Sequence, residues 1–374
     1  MKRTTLRRAA LPAALVLSLG LAACGGANEN TETTPGGTGG GETTAAEAQL
    51  SGELNGAGAS SQQAAMQAWI AGFTSVQPDV TVNYDPAGSG AGRDQFLSGA
   101  VPFAGSDRAL NDEELTQAQE RCNGGNAMDL PVYVSPIAVI YNLEGVTDLQ
   151  LSATTIANIF NGTITTWNDP AIAADNPDAT LPDTAITPVH RADDSGTTEN
   201  FTDYLSQAAP EAWTEEPDGE WPLPGGEAAQ GTSGVVSAVQ AAAGGIGYAD
   251  ASQAGSLGVA QVQVGEDFVG PTPEEAAAIL DASTQVEGRP EGDIALEIAR
   301  TTTEAGTYPI VLVSYHIVCS TYADQAEADL TKAFVEYVVS EDGQQAAADA
   351  AGSAPISENL RTQITSSLDT ISAG

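Results

Sequence analysis

Positive charge is scarce in this chain. Its 12 lysines and arginines face 50 aspartates and glutamates over 374 residues, a formal net charge of −38. Such a surface repels phosphodiester backbones and anionic headgroups, which argues against nucleic-acid binding and electrostatic attachment to a membrane. Histidine is scarcer still: His190 and His316 are the whole complement. Neither stands at metal-ligand spacing from the three cysteines, Cys24, Cys122 and Cys319, so no metal and no cofactor is expected. No Ser–His–Asp set surrounds a candidate nucleophile, so catalysis is poorly supported. Long apolar runs are missing too. Ala9 to Ala22 is apolar, and it is too short for a typical spanning helix.

That short run sits behind Lys2, Arg3, Arg7 and Arg8, and it ends in Leu21-Ala22-Ala23-Cys24. Basic residues, an apolar core and small residues before a cysteine read as a lipoprotein signal peptide over 1–23, with Cys24 as the lipidated first residue. An ordinary secretory signal with an incidental cysteine is the alternative. Cleavage would remove four basic residues and no acids, leaving 8 against 50 and a charge of −42, with Lys332 as the sole lysine. Residues 24–49, rich in Gly, Thr, Asn and Glu, read as a flexible tether. The expected location is outside the cytoplasm, lipid-anchored to the outer face of the cell membrane.

The segment His190-Arg191-Ala192-Asp193-Asp194-Ser195-Gly196-Thr197-Thr198 carries the most chemistry. Phe201, Tyr204 and Leu205 behind it are spaced for one apolar helix face. A helix start exposes unpaired N–H groups and a partial positive charge. Small residues there let an anion come close, and Arg191 adds a planar fork of donors. Oxyanion binding follows, with phosphate as the leading candidate. The plainer reading is that Ser195 only caps a helix and Arg191 pairs with Asp193 at the surface.

Two further segments favour the anion reading. Gly56-Ala57-Gly58-Ala59-Ser60-Ser61 joins an extended stretch (Gln49–Leu54) to an amphipathic pattern carrying Ala65, Met66, Trp69, Ile70 and Phe73. Tyr84-Asp85-Pro86-Ala87-Gly88-Ser89-Gly90-Ala91-Gly92-Arg93 continues a second strand signal at Val80–Tyr84 into a Gly-rich turn, and Phe103-Ala104-Gly105-Ser106-Asp107-Arg108 comes next. Strand, Gly-rich turn and helix start with hydroxyls recur.

In order and wording these segments resemble the solute-binding protein of the bacterial high-affinity phosphate ABC importer, from about Leu50 to the C-terminus. Thr155-Ile156-Ala157-Asn158-Ile159-Phe160-Asn161-Gly162, Trp167-Asn168-Asp169-Pro170-Ala171-Ile172 and Gly245-Ile246-Gly247-Tyr248 belong to the same resemblance. It implies phosphate donors at Ser60, Ser61, Ser89, Arg191, Ser195, Gly196 and Thr197, a ligand-facing carboxylate at Asp107, and Asp193 as the acid that holds Arg191. The chain departs from the commonest pattern with Ser60 where Thr is frequent and Asp194 where Gly is frequent; Asp194 is expected to point to solvent. Ionised Asp107 can only accept, so it suits a ligand that carries a proton and disfavours sulfate. Its alternative role is to cap a helix near Leu110–Ala118.

The resemblance also implies an α/β, type II "Venus flytrap" fold, in which a ligand cleft separates two periplasmic-binding-protein-like lobes. Lobe I is placed at 50–134 and 250–374 and lobe II at 135–249. About 325 residues after the tether are enough for two cores. Alternating strand and helix signals agree, with Tyr308–Val318 as a buried strand and Ala326, Leu330, Phe334, Tyr337 and Val338 as a helical stripe. Cys122 and Cys319, left over in an exported chain, suggest a disulfide, with two buried thiols as the alternative.

The function expected is capture of inorganic phosphate and delivery to an ABC permease, without enzyme activity. A phosphate-binding surface receptor or adhesin is the second reading, and a phosphomonoesterase the third. The acidity bears on affinity: local donors must hold an anion that the global field opposes. Phosphate affinity at fixed protonation is therefore expected to hold or improve as salt screens the field. A steep fall on calorimetric titration at moderate salt would contradict this.

Overall fold

The computed structural model describes residues 49–374. The signal sequence, Cys24 and the tether up to residue 48 lie outside the described residues. The chain opens with β1 (Gly52–Gly58), α1 (Gln63–Val76), β2 (Val80–Asp85), α2 (Ser89–Leu97), β3 (Phe103–Ser106), α3 (Asp112–Arg121) and β4 (Ala127–Tyr141). There follow β5 (Gln150–Leu151), α4 (Ala153–Phe160), α5 (Pro170–Asp175), β6 (Thr187–Arg191), α6 (Gly196–Ala208), β7 (Glu227–Ala229), α7 (Gly231–Ala241) and β8 (Gly245–Asp250). Three short strands, β9 (Gly258–Val259), β10 (Gln261–Val264) and β11 (Asp267–Val269), lead to α8 (Pro273–Ala282), β12 (Thr284–Gln285) and β13 (Leu296–Glu297). The chain closes with β14 (Val311–Cys319), β15 (Thr321–Tyr322), α9 (Gln325–Val339), α10 (Glu341–Ala351), α11 (Glu358–Leu368) and β16 (Ser372–Ala373).

The main sheet runs β2-β1-β3-β14-β4-β8-β6-β7, with β9 added against β4. Parallel pairs at β1/β2, β1/β3, β6/β7 and β6/β8 are the βα crossovers that the alternating pattern predicts. Two antiparallel strands interrupt them. β14 inserts between β3 and β4, and β4 carries the sheet from one half to the other. Residues 127–136 of β4 pair with β14, whereas residues 137–141 pair with β8. All fifteen residues of β4 are buried. Pro136 stands where the partner changes, and the register slips beside Pro131, as expected of residues that cannot donate to a ladder.

Local chemistry accounts for the helix boundaries. Asn111 and Glu114 form a reciprocal capping box on α3, whose first turn is acidic and whose last turn holds Arg121. The cap is therefore Asn111, and Asp107 is left for other work. Ser195 Oγ accepts from Thr198 N and caps α6, as its plainer reading requires. On α1, Ala65, Met66, Trp69 and Phe73 are buried along one face. Burying each large side chain contributes roughly 1.5–3 kcal/mol.

The first strand departs from the expectation of Gln49–Leu54: β1 runs on through Gly58. A Cβ on Gly56 would lie 2.2 Å from the Phe103 ring, and one on Gly58 would lie 1.9 Å from the Gly105 carbonyl. These glycines permit close packing within a strand and do not form a turn.

The structure joins Cys122, at the end of α3, to Cys319, at the end of β14, with Cα atoms 5.1 Å apart. Non-reducing peptide mapping should recover the linked pair, and reduction should lower stability by roughly 2–5 kcal/mol in denaturant titration. Quantitative alkylation of both cysteines without reductant would contradict it.

Candidate functional site

Asp107 directly follows β3 and is 3% exposed. Three hydroxyls from three elements donate to its carboxylate. Ser61, in the turn before α1, reaches Oδ1 at 2.6 Å and Oδ2 at 2.8 Å. Thr197, in the first turn of α6, reaches Oδ2 at 2.8 Å. Ser314, in the middle of β14, reaches Oδ1 at 2.6 Å. The Asp107 N–H donates to Ser89 Oγ at 3.2 Å, and the Asp107 carbonyl accepts from Asn200 Nδ2 at 2.7 Å. Gly196 lies against the same residue. A Cβ added there would stand 2.7 Å from the Asp107 Cβ and 3.0 Å from its backbone, so only glycine lets α6 approach this closely.

A second group gathers at the start of α7. Ser60 Oγ accepts from Thr232 N at 3.1 Å and lies 3.0 Å from Thr232 Oγ1. Asp193 Oδ1 accepts from Arg191 Nε at 2.8 Å and from Gly231 N at 3.0 Å, while Arg191 Nη2 bonds Asp193 Oδ2. Asp193 thus orients Arg191 and ties it to α7. Arg191 is 3% exposed, so the ion pair is internal and does not lie at the surface as its plainer reading has it. Ser195 splits its groups: its hydroxyl caps α6, and its N–H donates to Gly219 O at 3.0 Å.

The starts of α1, α2, α6 and α7 all contribute to these contacts. Each brings N–H groups that have no acceptor within its own helix, and a partial positive charge. Hydroxyls and one guanidinium complete a donor-rich locus suited to an oxyanion.

Against known proteins, residues 43–342 match the model of the PBP superfamily domain. Phosphate-binding protein PstS2 of Mycobacterium bovis is 36% identical over 363 residues, which cover 95% of this chain and 96% of the relative. Phosphate-binding protein PstS of Xylella fastidiosa is 32% identical over 89% of this chain and 90% of the relative. The chain belongs to the PstS-type branch of the PBP superfamily. Among solved structures, the periplasmic phosphate-binding protein PfluDING matches with a TM-score of 0.68 at 21% identity, covering 84% of this chain and 93% of that one. A phosphate-binding protein from Stenotrophomonas maltophilia matches with a TM-score of 0.64 at 19% identity, over 84% and 94%. The fold is the two-lobe periplasmic-binding-protein fold.

Within this PstS-type frame, sequence reasoning gave no role to Ser314, Asn200, Thr232 or Arg93, although Arg93 closes the second Gly-rich segment. Polar Ser314 and His316 interrupt the apolar run at Tyr308–Val318, a signal that was there to be read. Asp194, expected to point to solvent, is 42% exposed and is also tied to the protein. It accepts from Arg93, which is 2% exposed, at 3.2 Å. Arg93 is anchored in turn by Glu114 at 3.0 Å and Ser106 Oγ at 3.1 Å. A cavity of about 300 Å³ meets Asp107 from the α6 side and is also walled by Arg108, Glu199, Asn200, Asp203 and Arg300. Burial pushes the Glu199 carboxyl up to about 7 despite Arg108 and Arg93 nearby. Neither histidine stands among these donors: His190 stacks on Trp221, and His316 lies in the core.

Gly196→Ala should hold α6 away from Asp107 and cost about tenfold in anion affinity, in line with the 1–3 kcal/mol of overpacking. Asp194 is 42% exposed, so Asp194→Asn should cost less than about fivefold. Calorimetric titration of both variants checks the ranking, and equal losses would contradict it.

Proposed function

We propose that this protein captures inorganic phosphate outside the cytoplasm and delivers it to an ABC-type phosphate permease. The observation that carries the reading is Asp107: a buried carboxylate set among donors that otherwise favour an anion. A carboxylate repels a fully ionised oxyanion in a dry cleft and accepts from one that keeps a P–OH. Phosphate near neutral pH keeps such a proton, and sulfate does not. Relatives named for phosphate binding, matched along nearly their whole length, support the same ligand. Ser60, Ser61, Ser89, Arg191, Ser195, Gly196 and Thr197 are the proposed phosphate donors, and Asp193 orients Arg191. As a capture protein it turns over no substrate.

The reading includes an anchor: lipidated Cys24, a tether over 24–49, and a folded part held near the permease. It divides the folded part into lobe I at 50–134 and 250–374 and lobe II at 135–249. The change of partner at Pro136 of β4 supports the first crossing. The pairing of β10 with β5 favours assigning 258–269 to lobe II as well. Closure over phosphate would then bring Thr197 and Thr232 onto Asp107 and Ser60 from the opposite lobe.

Calorimetric titration of the phosphate-stripped protein, with phosphate and then with sulfate, tests the reading. Wild type should give heat with phosphate and none with sulfate. Asp107→Asn should narrow the preference, because an amide can donate to sulfate. A folded, ligand-free wild type that gives no heat with phosphate would overturn capture and bring the receptor or adhesin reading forward.

A further inference from the structure

Asp107 accepts from Ser314, and Ser314 is itself held from behind. Gln62 Nε2 lies 2.5 Å from Ser314 Oγ and 3.3 Å from the Tyr315 carbonyl. A carbonyl can only accept, so the NH₂ end of Gln62 must face Tyr315. Its Oε1 therefore faces His316, whose Nε2 is 3.2 Å away. An amide oxygen also only accepts, so the His316 proton belongs on Nε2. Nδ1 is buried without a partner and stays a bare lone pair. Trp69, Phe103 and Phe334 surround the ring, with centroids 5.6, 5.3 and 6.0 Å away, which fixes its orientation. Burial pushes the imidazole down to about 3, so the ring is neutral.

Each hydrogen in this line now has one direction: His316 Nε2–H to Gln62, Gln62 N–H to Ser314, and Ser314 O–H to Asp107. The geometry points to Ser314, Gln62 and His316 as positioning residues that hold Asp107 as a pure acceptor, so that the site takes only an oxyanion bringing its own proton. The inference rests on the phosphate reading above and assigns its selectivity to three residues behind the site. Ser314 lies on β14 and Asp107 directly follows the neighbouring strand β3, so their bond does not depend on lobe closure. A carboxylate offers about four lone-pair positions; Ser61 spans both oxygens with a single proton, so three hydroxyl protons leave one position for the ligand's proton.

The test is calorimetry with phosphate and with sulfate on the phosphate-stripped full chain, its Ser314→Ala and Gln62→Met variants and the double variant. In parallel, ¹⁵N NMR reads the tautomer of His316 without ligand. Each single variant should weaken phosphate binding about tenfold, the scale of one hydrogen bond to a charged group, and narrow the phosphate-to-sulfate ratio by about as much. The double variant should be no worse than the weaker single one, because both changes break one line. His316 should show the Nε2–H tautomer in wild type. Unaltered ratios in both single variants, additive losses, or an Nδ1–H tautomer would overturn the relay while wild type still binds phosphate. A wild type that binds no phosphate would overturn the capture reading and the relay's role together.

Discussion

A carboxylate buried among donors is expensive unless its lone pairs are used, and it repels most anions that those donors invite. Asp107 imposes both demands on one point of the chain. Its neighbours answer the first with three hydroxyls, and in the function proposed above the second serves as a filter. Much of the architecture follows from this. β3 ends beside it, α2 and α6 aim their first turns at it, and Gly196 removes the one atom that would keep α6 away. Charge-assisted bonds of this kind strengthen where the dielectric is low, so water exclusion and the filter reinforce one another.

The opposition between the whole and the part is equally physical. The folded chain is strongly acidic, yet the locus around Asp107 is assembled from helix starts, hydroxyls and a guanidinium already paired with Asp193. Long-range steering cannot favour an anion here. Short hydrogen bonds in a dry cleft can, because they act over one or two bond lengths and salt screens them little. Arg93 extends the same pattern: one buried cation binds Glu114 in the first turn of α3 and Asp194 just ahead of α6.

Much of this was legible in the sequence, and the remainder was hidden for identifiable reasons. Hydroxyls at the starts of α2 and α6 were readable because helix starts have local signatures. Ser89, Gly196 and Thr197 do meet at Asp107. Capping by Asp107 was a fair alternative until Asn111 proved to be the cap. Glycines 56 and 58 were misread as a turn, since a glycine needed for close packing looks the same in sequence as one needed for a bend. Gln62 and Thr232 were out of reach because their roles depend on partners 172 to 254 residues away, and Ser314, though marked as a polar break in an apolar run, finds its partner Asp107 207 positions upstream. Asp194 was assigned to solvent for the same reason: its partner Arg93 lies about a hundred positions upstream.

The place of β14 in the sheet bears on the order in which the molecule can form. This strand is near the end of the chain, yet it lies between β3 and β4, which come near the beginning. When the chain emerges from its N-terminus, β3 and β4 have no common neighbour until residue 319 has followed. The pairs that join them span more than two hundred residues on the β3 side, a separation that makes sheet closure slow. An unfinished chain thus keeps an open gap at the centre of its main sheet, and Asp107 lacks Ser314 throughout that interval. The anion site and the central sheet are completed by one late event, so a partly folded chain has no finished site to occupy.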